Sequence, residues 1–441
     1  MRRTLVLLAA MALTLLVASG VALAVTKIGS AEAQSSVVGP GESIQKAVNA
    51  AHPGDTIVVR GVHREDVIIR KNGIKLRGED DAVIEAPTRA KADSPCSKVT
   101  GGPEGICVWG DFNINTGELT GPRVSDVSVS GFTFRGFKIK GPGGDSVDVI
   151  DVYAARNATV VGNRLIGNAA IGIGAGRSVN TTVAKNHLIG SPKNVSKGIN
   201  VDNRDRNTKV VNNVVRRYPE FTNAIEVEEV INTTVAGNDL IGNGTGVFVE
   251  QNTTGTKIHA NDISRSGFAG IYMEGPKPVN AKVVGNNISG GPWGIFITDT
   301  HRGSFAGNKI HDNCAGMFFV AFASQPVGEF EVKGNTVENN TRSCRDGMNF
   351  SGIGIALLGA SGMELTGNQI SGNVPSGPTR ISGGVVVAVD PYVGGPKPRN
   401  NSVIGNHFGR NKPDIFWDES GSGNRFLGNL CNSSVPSRLC N

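Results

Sequence analysis

Thr233-Thr234-Val235-Ala236-Gly237-Asn238 and, a few residues on, Gly246-Val247-Phe248-Val249-Glu250 set the frame of this chain. The second stretch alternates strictly, the two-residue period of a strand with one face turned inward. The first ends in Gly-Asn, where glycine supplies a backbone conformation that a residue with Cβ resists. The Gly-Asn pair recurs with its asparagine at 163, 238, 286, 308, 335, 368, 406 and 429. Degenerate copies stand at Lys185-Asn186, Asn212-Asn213 and Ala260-Asn261. Successive asparagines are 22–27 residues apart except for two intervals of 33 and 38. One supersecondary unit of two strand-like pieces and a turn is therefore copied along the chain.

Such a period fits one coil of a solenoid and is too short for a propeller blade. A leucine-rich horseshoe would need a Leu-x-x-Leu-x-Leu frame, which is missing. Stacked coils, at about 4.8 Å each, would place each turn asparagine over the next and allow an amide ladder. These asparagines therefore read as structural. The expected fold is all-β, a single-stranded right-handed parallel β-helix with a short N-terminal capping helix. Ser43 can cap that helix, whose apolar positions Ile44, Ala47, Val48 and Ala51 share one face. Pro53-Gly54-Asp55 stops it, and strands are expected at 56–60, 67–69 and 74–77. The helix would cover the open end of the first coil, and a tail at 430–441 would cover the last.

Arg2 and Arg3 precede an uncharged run from Thr4 to Val25, which reads as a secretory signal over residues 1–24, cut after Ala24 or as late as Ala33. An uncleaved anchor is the alternative, because the run is long enough to span a bilayer. Residues 37–441 then form one β-helix domain, with a cap at 39–52 and a loop insertion at 87–123. Six cysteines in an exported chain suggest three disulfides: Cys96–Cys107, Cys314–Cys344 between neighbouring coils, and Cys431–Cys440. Without the signal, 42 basic residues face 38 acidic ones, a formal +4. That excess is too mild on a chain this long to argue for nucleic acid, and no basic stripe with interleaved aromatics is present. Oligomeric state is not legible.

The pieces Ser43-Ile44-Gln45-Lys46-Ala47-Val48, Gly54-Asp55-Thr56-Ile57 and the Gly-Asn-x-Ile coils resemble the pectin-lyase-like superfamily, and within it the parallel β-helix repeat proteins of bacteria. The resemblance covers nearly all of the mature chain and implies the fold. It does not imply one activity, since that superfamily includes lyases, hydrolases, epimerases and adhesins. The polygalacturonase set (Asn-Thr-Asp, Asp-Asp, Gly-His-Gly, Arg-Ile-Lys) and the Asp-Pro-His-Asp of alginate epimerases are absent, so no catalytic residue is carried over.

Aligning the strand after each turn gives two outward columns. One reads Asn200, Glu226, Phe248, Tyr272, Phe296, Phe318; the other Asp202, Glu228, Glu250, Glu274, Thr298. Like charges across a strand pair repel, by roughly 1 kcal/mol at 4.8 Å in water and several times that at lower dielectric. Four stacked acids therefore call for raised pKa values, a bound cation or a nearby Arg or Lys. Arg204 and Arg206 follow Asp202 closely, and Asp202, Glu228 and Glu250 are candidate calcium ligands. The expected catalytic set is Asp202, Glu226, Glu228 and Glu250, with Arg204 as the basic partner a lyase would need. Phe248, Tyr272, Phe296 and Glu274 are the expected substrate contacts, because flat apolar sugar faces stack on rings. Glu229 and Gln251 end their strands, where they would help line a groove. Asp299 and His301 read as surface residues, and His187, His259 and His311, near turns, are not expected to be catalytic.

As an enzyme, the chain would be a polysaccharide lyase, epimerase or glycoside hydrolase. As a non-enzyme, it would be a cell-surface or cell-wall rod presenting loops. A third expectation is a periplasmic accessory role like that of the NosD-type β-helix proteins, but no His/Cys/Met cluster suggests copper.

Overall fold

The computed structural model describes residues 33–440 apart from 90–93, 139–146, 192–196, 220–221, 251, 276–278, 323–326 and 345–348. Residues 1–32, which include the expected signal, and Gln251 lie outside the described residues. Each coil contributes three parallel strands where the sequence suggested two. The turn asparagine separates two short ones, such as Thr234–Ala236 and Asp239–Ile241, and the longer Thr245–Val249 follows. Stacking joins the two short columns into one sheet of 26 strands and the long column into another of 14. A three-residue strand between two turns has too little alternation to register in sequence, which is why the middle column was missed.

Ile199, Val201, Ile225, Val227, Val247, Val249, Ile271 and Met273 point into the solenoid and are fully buried. Each contributes about 1.5–3 kcal/mol relative to exposure. The expected asparagine ladder runs along the same interior. Asn238 Nδ2 donates to Asn261 Oδ1 at 2.9 Å and to the Val210 carbonyl, and its backbone N–H donates to that same Asn261 oxygen. The preceding residue is left-handed at Gly237 (φ 63°), and Lys185, Asn212 and Ala260 adopt the same conformation in the degenerate copies. The ladder is thus strong enough to hold non-glycine residues where they are disfavoured. A second buried ladder, five residues on, links Asn313, Asn340, Asn373 and Asn411. Its signal was the longer spelling Gly237-Asn238-Asp239-Leu240-Ile241-Gly242-Asn243.

The capping helix is Ile44–Ala50, with Ser43 Oγ accepting from the Lys46 N–H and Ile44 and Val48 buried against the first coils. All three expected disulfides are present. The insertion at 87–123 is less of an interruption than expected. After a short helix, Pro95–Thr100, its strand Ile106–Trp109 enters the long column between Val67–Ile69 and Asp148–Tyr153. Ser434–Val435 ends that column, with the Cys431–Cys440 tail beyond. Among the described residues no helix is long and apolar enough to cross a membrane.

Candidate functional site

The outward face of the long column has the register that the alignment implied. Asn200 pairs with Glu226, Glu226 with Phe248, Phe248 with Tyr272, Tyr272 with Phe296, and Phe296 with Phe318. Backbone bonds from Glu228 to Val201, Glu250 to Val227 and Glu274 to Val249 extend the ladder past the strand ends and align the acids. The same register runs backwards through Gly174 and Gly176 to Asp151 and Tyr153, then to Cys107 and Trp109.

The positive charge among these acids is Lys197. Its ammonium pairs with Glu226, which is only 2% exposed and also accepts from Asn223 Nδ2 at 2.5 Å. Burial opposes the charge on Lys197, but Glu226, Glu228 and Asp202 together hold its pKa above the usual lysine range. Burial and neighbouring acids act the other way on the carboxyls. Glu250 is pushed up to about 7, first by burial and then by Glu228 and Glu226. Glu228 and Asp202 are raised chiefly by burial, with Lys197 opposing. Glu274 accepts from the Tyr272 hydroxyl. Asp299, expected on the surface, has a raised pKa from burial and from Glu274.

Arg204 does not take the role expected of it. Asn203 and Arg204 are both left-handed (φ 53° and 65°), so the chain turns sharply after Asp202. Arg204 then lines a separate hollow with Arg206, Glu229, Ile231 and Asn252. The expected calcium set also assembles differently. Oxygens of Glu226, Glu228 and Glu250 lie within 4.8 Å of one another, with Glu226 in place of Asp202. The Lys197 ammonium already sits on Glu226, so these residues fit a calcium ion poorly.

Phe248 and Tyr272 stack with ring centroids 4.9 Å apart at 8°, and both are half-buried. Phe296 is not the open ring expected. It is 7% exposed and packs against Trp293 at 4.8 Å, in an apolar cluster with Phe318 and Phe350. Trp293 and Phe268, whose rings meet Phe296 at 4.8 and 5.7 Å, lie outside the aligned column and could not be seen to cover it. Beyond the acids, Trp109 stacks on Tyr153 at 5.3 Å, beside Phe112 and the Cys96–Cys107 bridge. The acids thus lie between two aromatic groups along the solenoid axis. His187 and His311 stand on the middle column, and His259 and His301 on the first.

Asp148, Asp151, Tyr153 and Lys197 were missed in sequence. Continuing the alignment two coils toward the N-terminus reaches Asp151 and Tyr153, and Lys197 immediately precedes the first aligned residue, Gly198. Asp148 and Asp151 both have pKa values raised by burial and by like charge, each facing Asp202.

Residues 223–390 match the family described as "Right handed beta helix region". No curated protein sequence matches the chain. Among solved structures, the A-module of the Azotobacter vinelandii mannuronan C-5 epimerase AlgE6 is similar at a TM-score of 0.50. Identity is 18%, over 88% of this chain and 94% of that one. The catalytic unit of an α-1,3-glucanase from Streptomyces thermodiastaticus gives 0.52 at 12% identity, over 92% and 70%. The A-module of AlgE4, also from Azotobacter vinelandii, gives 0.50 at 16%, over 84% and 91%. The chain has the right-handed parallel β-helix fold.

Proposed function

We propose that this is an exported protein that binds a polysaccharide along the outward face of the long column and cleaves it by carboxyl acid–base chemistry. The observation that carries the reading is Glu250, held to about 7 beside Glu228 and the Lys197–Glu226 pair. An acid that keeps its proton near neutrality, next to a second carboxylate, is the pair that glycoside hydrolysis uses. The half-buried Phe248–Tyr272 stack next to it offers ring surface to a sugar. The names of the similar folds, an epimerase of mannuronan and an α-1,3-glucanase, support a polysaccharide as the partner. The apolar N-terminal run and three disulfides support export. The separation of the two working carboxyls decides between inversion and retention at the anomeric carbon.

The test is a screen of neutral, anionic and amino-bearing glycans for binding and turnover, with the product anomer read by NMR. Glu250→Gln should lower turnover at least 100-fold while leaving binding within a few fold. Absence of both binding and turnover on every glycan class would overturn the reading. Binding without turnover would reduce it to a carbohydrate-binding rod.

A further inference from the structure

We propose that the turn edge following the long column docks a polymer bearing phosphate or sulfate esters, held by a row of arginines from successive coils. The edge shares none of the residues of the carboxyl face assigned above, and the inference stands without that reading.

Parallel bridges link Arg156 to Val179, Val179 to Arg206, Arg206 to Ile231 and Ile231 to Thr254. Two residues earlier in each coil the same register gives Ala154, Arg177, Arg204, Glu229 and Asn252, all left-handed with φ between 50° and 65°. Arg123 belongs to the coil before Ala154, because Val124 pairs with Ala155. Four consecutive coils therefore each bring at least one arginine to this edge: Arg123, then Arg156, then Arg177, then Arg204 with Arg206. At about 4.8 Å per coil the row spans about 14 Å. Arg156, Arg204 and Arg206 are exposed, and Arg123 and Arg177 are half-buried. Stacking alone assembles the row, since its members lie in separate repeats.

The row lacks internal counter-charge. Arg177 is committed to the insertion, donating to the Gly117 carbonyl and lying over the Phe112 ring at 5.6 Å. Arg123 Nε donates to the Arg177 carbonyl at 3.2 Å. Among the described residues, Arg123, Arg156, Arg204 and Arg206 have no ion-pair partner. Burial, then Arg156 and Arg206, work against the charge on Arg123. Asp205 offsets them, but it is fully buried and already accepts from the Thr208 hydroxyl and the Ser178 N–H. Unpaired like charges in one row repel, and an anion from outside the chain relieves that repulsion.

Each end of the row opens into a hollow. Arg70, Lys71, Trp109 and Arg123 line one, and Arg204, Arg206, Glu229, Ile231 and Asn252 line the other. In the second, guanidiniums from two register positions border one space. A planar carboxylate is used up by one bidentate fork, whereas a tetrahedral oxyanion keeps oxygens for a second arginine. Phosphate and sulfate esters therefore fit this edge better than a uronate. Nucleic acid fits it poorly, because bases bind single-strand grooves by stacking on free rings. Trp109 is 3% exposed, and Arg177 lies over Phe112.

The experiment titrates poly(glycerol phosphate), dextran sulfate, an oligogalacturonate and single-stranded DNA onto the full mature chain at low and high salt. Both ester polymers should bind, weaken roughly tenfold at high salt, and exceed the uronate by roughly tenfold. Arg156→Gln/Arg206→Gln should lower ester-polymer affinity roughly tenfold or more with the Tm unchanged, since both side chains are exposed. Arg156→Lys/Arg206→Lys should recover only part of that loss, because an ammonium lacks the planar fork. Glu250→Gln should leave the affinity unchanged. The uronate or the DNA binding as tightly as the ester polymers overturns the inference, as does undiminished affinity in the double glutamine variant. Lost affinity in Glu250→Gln would put the polymer on the carboxyl face and overturn it as well. Glycan turnover without any ester-polymer binding would remove this inference and leave the carboxyl reading standing.

Discussion

Lys197 and Glu226 form an ion pair in which the carboxylate is almost wholly buried and the ammonium is about one-third exposed. They belong to adjacent coils and stand 29 positions apart in sequence, so the pair exists only because the solenoid stacks. It neutralises Glu226 beside Asp202, Glu228 and Glu250 of the neighbouring outward column, whose pKa values are raised.

Breaking that pair from one side strands the other charge. Lys197→Met should destabilise the protein by about 2–4 kcal/mol, toward the lower end of the range for buried pairs because the ammonium is partly exposed. Lys197→Met/Glu226→Gln should recover more than half of the loss. Urea unfolding of the double-mutant cycle measures the coupling, and additive single effects would contradict the pairing.

Glu250 sets the pH dependence. Its folded pKa lies above its unfolded value, so its stabilising contribution is present below about 4.5 and is lost as the pH rises through about 7. Because the carboxyl is only half-buried, screening by solvent reduces this to about 1 kcal/mol. Glu250→Gln should raise the Tm at pH 8 by about 1–3 °C and change little at pH 4. A calorimetric series across that range decides it, and a rise confined to pH 4 would reverse the sign.

The two kinds of asparagine should separate cleanly. Asn238→Ala removes a buried link and orphans the Val210 carbonyl and the Asn213 amide that bonded to it, so a loss of about 2–4 kcal/mol is expected. Asn232, whose Nδ2 reaches Asn207 Oδ1 at 3.4 Å on the exposed edge and whose backbone is left-handed (φ 61°), should lose only about 1 kcal/mol on mutation to alanine, mainly from that backbone conformation. Denaturant midpoints for the two variants provide the comparison.

Among the rings, exposure predicts opposite phenotypes. Phe296→Ala should cost about 3–5 kcal/mol, as a buried aromatic truncated in a packed cluster, and affect glycan binding only through that loss. Phe248→Ala should leave the Tm within a few degrees and weaken glycan binding about tenfold. Thermal melts paired with binding isotherms distinguish them, and equal Tm losses would show that both rings are structural.

Much of this was legible in the chain because a solenoid converts sequence period into spatial neighbourhood. Once Asn238 is known to lie over Asn261, Glu226 must lie beside Phe248. The capping helix at Ser43, the cysteine pairs and the inward Ile/Val positions follow from equally local rules. Arg204 shows the limit. It is two residues from Asp202, yet two left-handed residues carry it off the face, and sequence proximity says nothing about such a turn.

What the sequence by itself determined is the β-helix and the register of its columns, because both rest on a repeating local pattern of inward apolar residues and turn asparagines. Which outward residues meet ligand and which are covered was decided only by the tertiary structure. Phe296 and Phe248 occupy equivalent repeat positions, but Trp293 and Phe268 pack over the first. Lys197 lies outside the repeat frame, and its role depends on a carboxylate from the following coil. Burial and charge pairing depend on what stacks above and below, and a period carries the stacking order without the fate of each side chain.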